Sequence, residues 1–309
     1  MTPTENTTNT NTNTKTTAGN TRKPVLRTPL GILSTATATH GTGRDGDIPL
    51  PRLPGFVESA FSPLAYEAAR QCLAERPEDG ARTAVALAST TGDTTTADLA
   101  SRRMVSGRVH NPLLFMQATP NSVLGYLSRE FGITGQMFSL STLDDPVTEL
   151  LSMADLLLED PEVDRVLVVG VELGGGERLA AVYDELADSH GHPAPAPVPA
   201  LPPDAGLAAA VLLGRPGTGT PVSVRSAEAY ESDGGTSADG TGTRVRPGSI
   251  QSLFDLVGLH RRLLREGGSQ VLVTDPRAPA FLLTADTADT AGTEATTIAR
   301  NETETHAHQ

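Results

Sequence analysis

Cys72 is the only thiol in the 309 residues, so covalent acyl chemistry through sulfur would have to use it. It follows Leu64 and Ala68 along one face of a segment that opens Ser62-Pro63. Ser at the N-cap and Pro at the first helical position predict a helix start there. A free cysteine on the apolar face of a helix behaves as a small hydrophobe with an inert thiol, so Cys72 reads as structural. The histidines offer acid–base or metal chemistry. His110 precedes an Asn-Pro pair and reads as a hydrogen-bonded loop residue. His190 and His192 lie in a Pro-rich stretch, and His306 and His308 lie in the terminal tail. None has the Cys/His spacing of a structural zinc site, and no metal is expected. His260, between Leu259 and Arg261, reads as a surface residue. Gly174-Gly175-Gly176 lacks the lysine and strand–turn–helix context of a nucleotide loop and reads as a turn. No cofactor is expected. Asp144-Asp145 precedes Pro146, and carboxylates there favour the positive end of a helix.

The elements that would position these residues follow from apolar patterning. Val25 to Leu33 reads as a first short strand, and His40 to Pro54 as loop. Thr83 to Ala88 and Arg165 to Val171 are continuous apolar runs that suit buried parallel strands. Gly206 to Leu213 is another apolar strand. Met137 to Leu143 reads as a strand, and Asn121 to Phe131 as a helix. Asp145 caps a strongly apolar helix from Pro146 to Leu158. Ile250 to Arg265 carries Leu253, Leu256, Val257 and Leu263 on its inner face. Gln270 to Thr274 and Ala280 to Thr284 close the chain as strands. This alternation predicts an α/β protein with a mixed, mostly parallel sheet flanked by helices.

The two ends differ from the middle. Residues 1–24 are rich in Thr and Asn, and residues 286–309 in Thr, Ala, Asp and Glu. Neither can bury enough apolar surface to offset its ordering entropy, so both are expected to be disordered around a domain of residues 25–285. The Pro-rich stretch 190–204 and the Gly/Ser/Thr stretch 231–248 read as mobile loops. The formal net charge of −13 argues against nucleic acid, which needs clustered Lys and Arg. No apolar run is long enough to span a bilayer, and no basic-then-apolar signal opens the chain. With a single cysteine, a cytoplasmic protein without internal disulfides is expected.

Three segments together resemble the N-terminal half of a thiolase-fold β-ketoacyl synthase. His110-Asn111-Pro112-Leu113-Leu114-Phe115 is followed by Thr119-Pro120-Asn121-Ser122-Val123-Leu124-Gly125. Phe131-Gly132-Ile133-Thr134-Gly135 is similar to a glycine turn of that family, with Gln136 in place of the usual Pro. Ser139-Leu140-Ser141-Thr142-Leu143-Asp144, the helix from Pro146, and Val168-Val169-Gly170-Val171-Glu172 resemble the nucleophile turn, the buried helix and the Gly-Val-Glu strand. Asp204 to Leu213 is similar to the next apolar strand. The resemblance covers Val25 to Leu213, and Ser249 to Thr284 looks like a compressed remnant of the second half.

The resemblance implies a thiolase-like fold with a truncated second half, and it places Asp144 where the family carries its catalytic cysteine. A carboxylate is a poor acyl acceptor from a thioester, so Asp144 reads as a helix-capping or fold residue. The family's pair of histidines has no counterpart here. His40-Gly41-Thr42-Gly43 matches one motif, but it follows the first strand instead of lying in the second half. The stretch Arg244 to Ser249 has no histidine. The implied role is a non-condensing partner subunit of chain-length-factor type. It would form a heterodimer with an active ketosynthase and reach acyl carrier protein through that complex. Asn111, Pro112, Phe115, Met116, Asn121, Met137 and Phe138 are the expected interface or acyl-tunnel residues, with ordinary core packing as the alternative for Phe115, Met116, Met137 and Phe138. The competing functional reading is a hydrolase or dehydratase of carrier-bound acyl chains with Asp144 as general base, which would need a raised pKa and a substrate in reach.

Overall fold

A computed structural model describes residues 24–77, 80–107, 112–141, 145–174, 181, 185, 201–217, 219–227, 249–274 and 279–285. Both expected tails lie outside these residues except Pro24, as do the expected loops except residues 201–204.

In chain order the elements are β1 (Leu30–His40), α1 (Phe61–Ala74), β2 (Thr83–Ala88), α2 (Thr94–Val105), α3 (Pro112–Ala118) and α4 (Pro120–Phe131). They continue with β3 (Met137–Leu140), α5 (Pro146–Leu157), β4 (Arg165–Leu173), β5 (Gly206–Gly214) and β6 (Val222–Ser226). The last three are α6 (Gln251–Glu266), β7 (Ser269–Leu272) and β8 (Phe281–Ala285). The strands form one eight-stranded sheet in the order β3-β2-β4-β5-β1-β6-β8-β7. Only β2 pairs in parallel, with β3 and with β4; the other pairings are antiparallel. The sheet is therefore mixed, as expected, but not mostly parallel. The physical reason lies in β4 and β5, which are buried along their whole length. Helices cover both of their faces, so they are apolar throughout although they run antiparallel to each other.

Two apolar cores lie on the two faces of the sheet. On one face α1 and α4 contribute Phe61, Leu64, Ala68, Cys72, Val123 and Leu127. On the other, α5 and α6 contribute Val147, Leu150, Leu151, Leu253, Leu256 and Leu263. β1 is longer than the expected first strand and includes the alternating Thr-Ala run up to His40, with a bulge between Ile32 and Ser34. Arg76 Nε donates to the carbonyl of Leu33 at that bulge, 3.3 Å away.

The helix ends show which local signals act. α1 starts at Phe61 with Ala60 as N-cap, so Ser62 is not the cap. The serine that serves this end is Ser59, whose Oγ accepts from the Phe61 N–H at 3.3 Å. Ser62 is buried inside the first turn. Asp93 caps α2 by accepting from the Thr96 N–H at 3.0 Å. α4 carries Pro120 in its first turn and ends at Gly132, whose φ of 64° is the left-handed cap that glycine adopts without strain.

Candidate functional site

The N-termini of α5 and α6 meet where Asp145 reaches Ser252, just after the run that the family resemblance reads as a nucleophile turn. Asp144 and its neighbours Thr142 and Leu143 lie outside the described residues. Asp145 is the N-cap of α5, with Pro146 following it into the helix, as the sequence pattern predicts. Its Oδ2 accepts from the Thr148 N–H at 3.1 Å and from Thr148 Oγ1 at 2.6 Å. Its Oδ1 accepts from Ser252 Oγ on α6 at 3.0 Å. Both oxygens are thus engaged, one within its own helix and one across to the next.

Glu172, at the end of β4, serves α6 in the same way. Its Oε2 accepts from the Ile250 N–H and from Ser249 Oγ, each at 3.2 Å. A carboxylate therefore occupies the positive end of each helix, where an external anion would otherwise be favoured. Between them, Gly170 of β4 lies directly under Ile250 and Leu253. A Cβ on Gly170 would come within 2.9 Å of Leu253 Cδ2 and 3.1 Å of Ile250 Cγ2, so a larger residue at this strand position would require those side chains to shift. The Gly-Val-Glu run thus has a local explanation: the glycine lets α6 approach, and the glutamate caps it.

The sole thiol lies across the sheet from this point, in the α1 core. Cys72 is completely buried. Its Sγ is 3.3 Å from Ser34 Oγ, and Ser34 Oγ donates to the Cys72 carbonyl at 2.7 Å. Burial pushes the thiol pKa up to about 12, against a smaller lowering by the Ser34 hydrogen bond. A thiolate is the nucleophilic form, so Cys72 is chemically silent near neutral pH.

His260 does not sit on the surface. It is 3% exposed and faces β1, where its Nδ1 is 3.1 Å from Thr35 Oγ1. Its buried Nε2 has no hydrogen-bond partner among the described residues. Burial, helped by the positive charge of Arg261, lowers its pKa to about 4. It is a neutral core imidazole. His40 ends β1, with its Nδ1 2.8 Å from the Ile48 carbonyl. The residues after it fold back on Asp47, which accepts from Thr42 Oγ1 at 2.7 Å and from the Gly43 N–H at 2.9 Å. The His-Gly-Thr-Gly run closes a local turn. His110, His190, His192, His306 and His308 lie outside the described residues. No cluster of metal-ligating side chains occurs among the described residues.

The expected interface residues separate into two groups. Pro112 begins α3, and Asn111 lies outside the described residues. In α3, Leu114 is the inward anchor at 2% exposure, while Leu113 (55%), Phe115 (45%) and Met116 (63%) face outward. Phe115 and Met116 are therefore surface residues, and the core-packing alternative does not hold for them. Asn121 is exposed in the first turn of α4. Met137 and Phe138 are half-buried on β3 and point to opposite faces, Met137 toward the α1 core and Phe138 toward the α5–α6 core. β3 is an edge strand, and no strand pairs with its outer side among the described residues. It carries no charge and no proline. Sequence reasoning missed α2, which packs against α3 and carries exposed Met104 and Val105 in its last turn. The Asp93-x-x-Thr96 cap was the available signal.

No family model matches the chain, and no curated protein is similar to it. Solved structures do match. A chain of a ketosynthase (ApeO) in complex with its chain length factor (ApeC) from Xenorhabdus doucetiae aligns with a TM-score of 0.52 at 17% identity, over 83% of this chain and 99% of that one. A chain of the ishigamide ketosynthase/chain length factor aligns at 0.43 and 17% identity, over 64% of this chain and 65% of that chain. A β-ketoacyl synthase from Burkholderia phymatum aligns at 0.40 and 17% identity, over 61% of this chain and 59% of that chain. The likeness to the Xenorhabdus structure extends over nearly the whole of the matched chain, and the chain described here shares its ketosynthase-like fold.

Proposed function

We propose that this chain is a non-condensing partner subunit of chain-length-factor type, which associates with a catalytic ketosynthase and meets acyl carrier protein through that complex. The observation that carries the proposal is the position of the only cysteine. In a ketosynthase-like fold, Cys72 lies in the α1 core with its pKa pushed up to about 12, so the chain offers no thiolate for an acyl thioester. The carboxylates of Asp145 and Glu172 support the reading, because the helix ends that could stabilise an anion already hold one.

The association surface we assign combines the outward side of α3 with the outer side of β3. An uncharged strand with no neighbour on its outer side among the described residues is a template for pairing with another chain, and the exposed apolar side chains of α3 are of the kind that mark an interaction site. Asn111, Pro112, Phe115, Met116 and Asn121 are the proposed contacts, with Met137 and Phe138 at the strand edge. The test is reconstitution. The purified chain supplied with acyl- and malonyl-carrier protein forms no extended product. Adding a catalytic ketosynthase that binds it restores product formation. Steady turnover by the chain alone, above a heat-inactivated control, overturns the proposal.

A further inference from the structure

We draw no further inference here: the strongest candidate, the buried His260–Thr35 pair between α6 and β1 with its unbonded Nε2, carries nothing because no metal-ligating cluster forms there among the described residues and a lowered pKa alone defines no ligand, and the apolar face of α3 belongs to the association surface already proposed.

Discussion

Ser252 Oγ donates to Asp145 Oδ1 at 3.0 Å, tying the first turn of α6 to the N-cap of α5. These helices are far apart in the chain, with β4, β5 and β6 between them. The bond fixes the two helix N-termini against each other at one end of the sheet. The acceptor's other oxygen is held by Thr148.

Asp145→Ala removes both functions of this carboxylate. Loss of an N-cap costs about 1 kcal/mol, and the orphaned Ser252 hydroxyl adds a cost of roughly the same size. Ser252→Ala removes only the bond between the helices. Denaturant unfolding is expected to rank Asp145→Ala as the more destabilised of the two, and the double mutant is expected to lose less than the sum of the single changes.

Cys72 is expected to resist thiol reagents in the folded protein. Near neutral pH the thiolate fraction is negligible for a pKa of about 12, and the side chain has no exposed surface. Mass spectrometry after iodoacetamide treatment should show no adduct without denaturant and full modification in its presence. Cys72→Ala should leave partner binding unchanged. Rapid labelling of the native chain would show an accessible thiol and remove the main support for a non-condensing role.

His260 makes stability depend on pH with a definite sign. Its folded pKa is lowered from 6.5 to about 4, so the unfolded state binds the proton more readily. Its contribution is fully present above pH 6.5. It is lost as the pH falls from there toward 4, and this group adds no further slope below that. The effect is of the order of a few kcal/mol. Urea midpoints measured across this window should fall with decreasing pH in the wild type, and the slope should be reduced in His260→Gln.

Much of this arrangement is legible in the sequence. Arg165 to Val171 and Gly206 to Leu213 are short continuous apolar runs that read as buried strands, and the Asp145-Pro146 pair reads as a helix start. Strand direction is a different matter, because full burial produces the same composition in parallel and antiparallel strands. β1 extends beyond its apolar signal because its second half alternates Ala with Thr, and the threonine hydroxyls weaken the pattern. His260 has a polar residue type that suggests the surface, although it follows Leu256 by four positions and Val257 by three, on the buried stripe of α6. α2 is rich in Thr and Arg and buries only Thr96 and Ala100, so its apolar signal is weak. The exposure of Phe115 and Met116 depends on how α3 sits against α2 and α4, which spacing alone does not specify.

Phe115→Asp separates folding from association. The side chain is 45% exposed, so the substitution should change folding stability by no more than about 0.5 kcal/mol. In a desolvated interface the same carboxylate would be unpaired, and association should weaken by several kcal/mol, on the order of 100-fold or more. Melting curves and titration with the partner, run on the same preparation, check both halves of this expectation.

The most direct measurement is size-exclusion chromatography of the purified chain with and without a catalytic ketosynthase encoded beside it. The account predicts co-elution as a stoichiometric complex that Phe115→Asp disrupts while leaving the chain folded. A folded monomer that elutes alone in the presence of every such ketosynthase would contradict it.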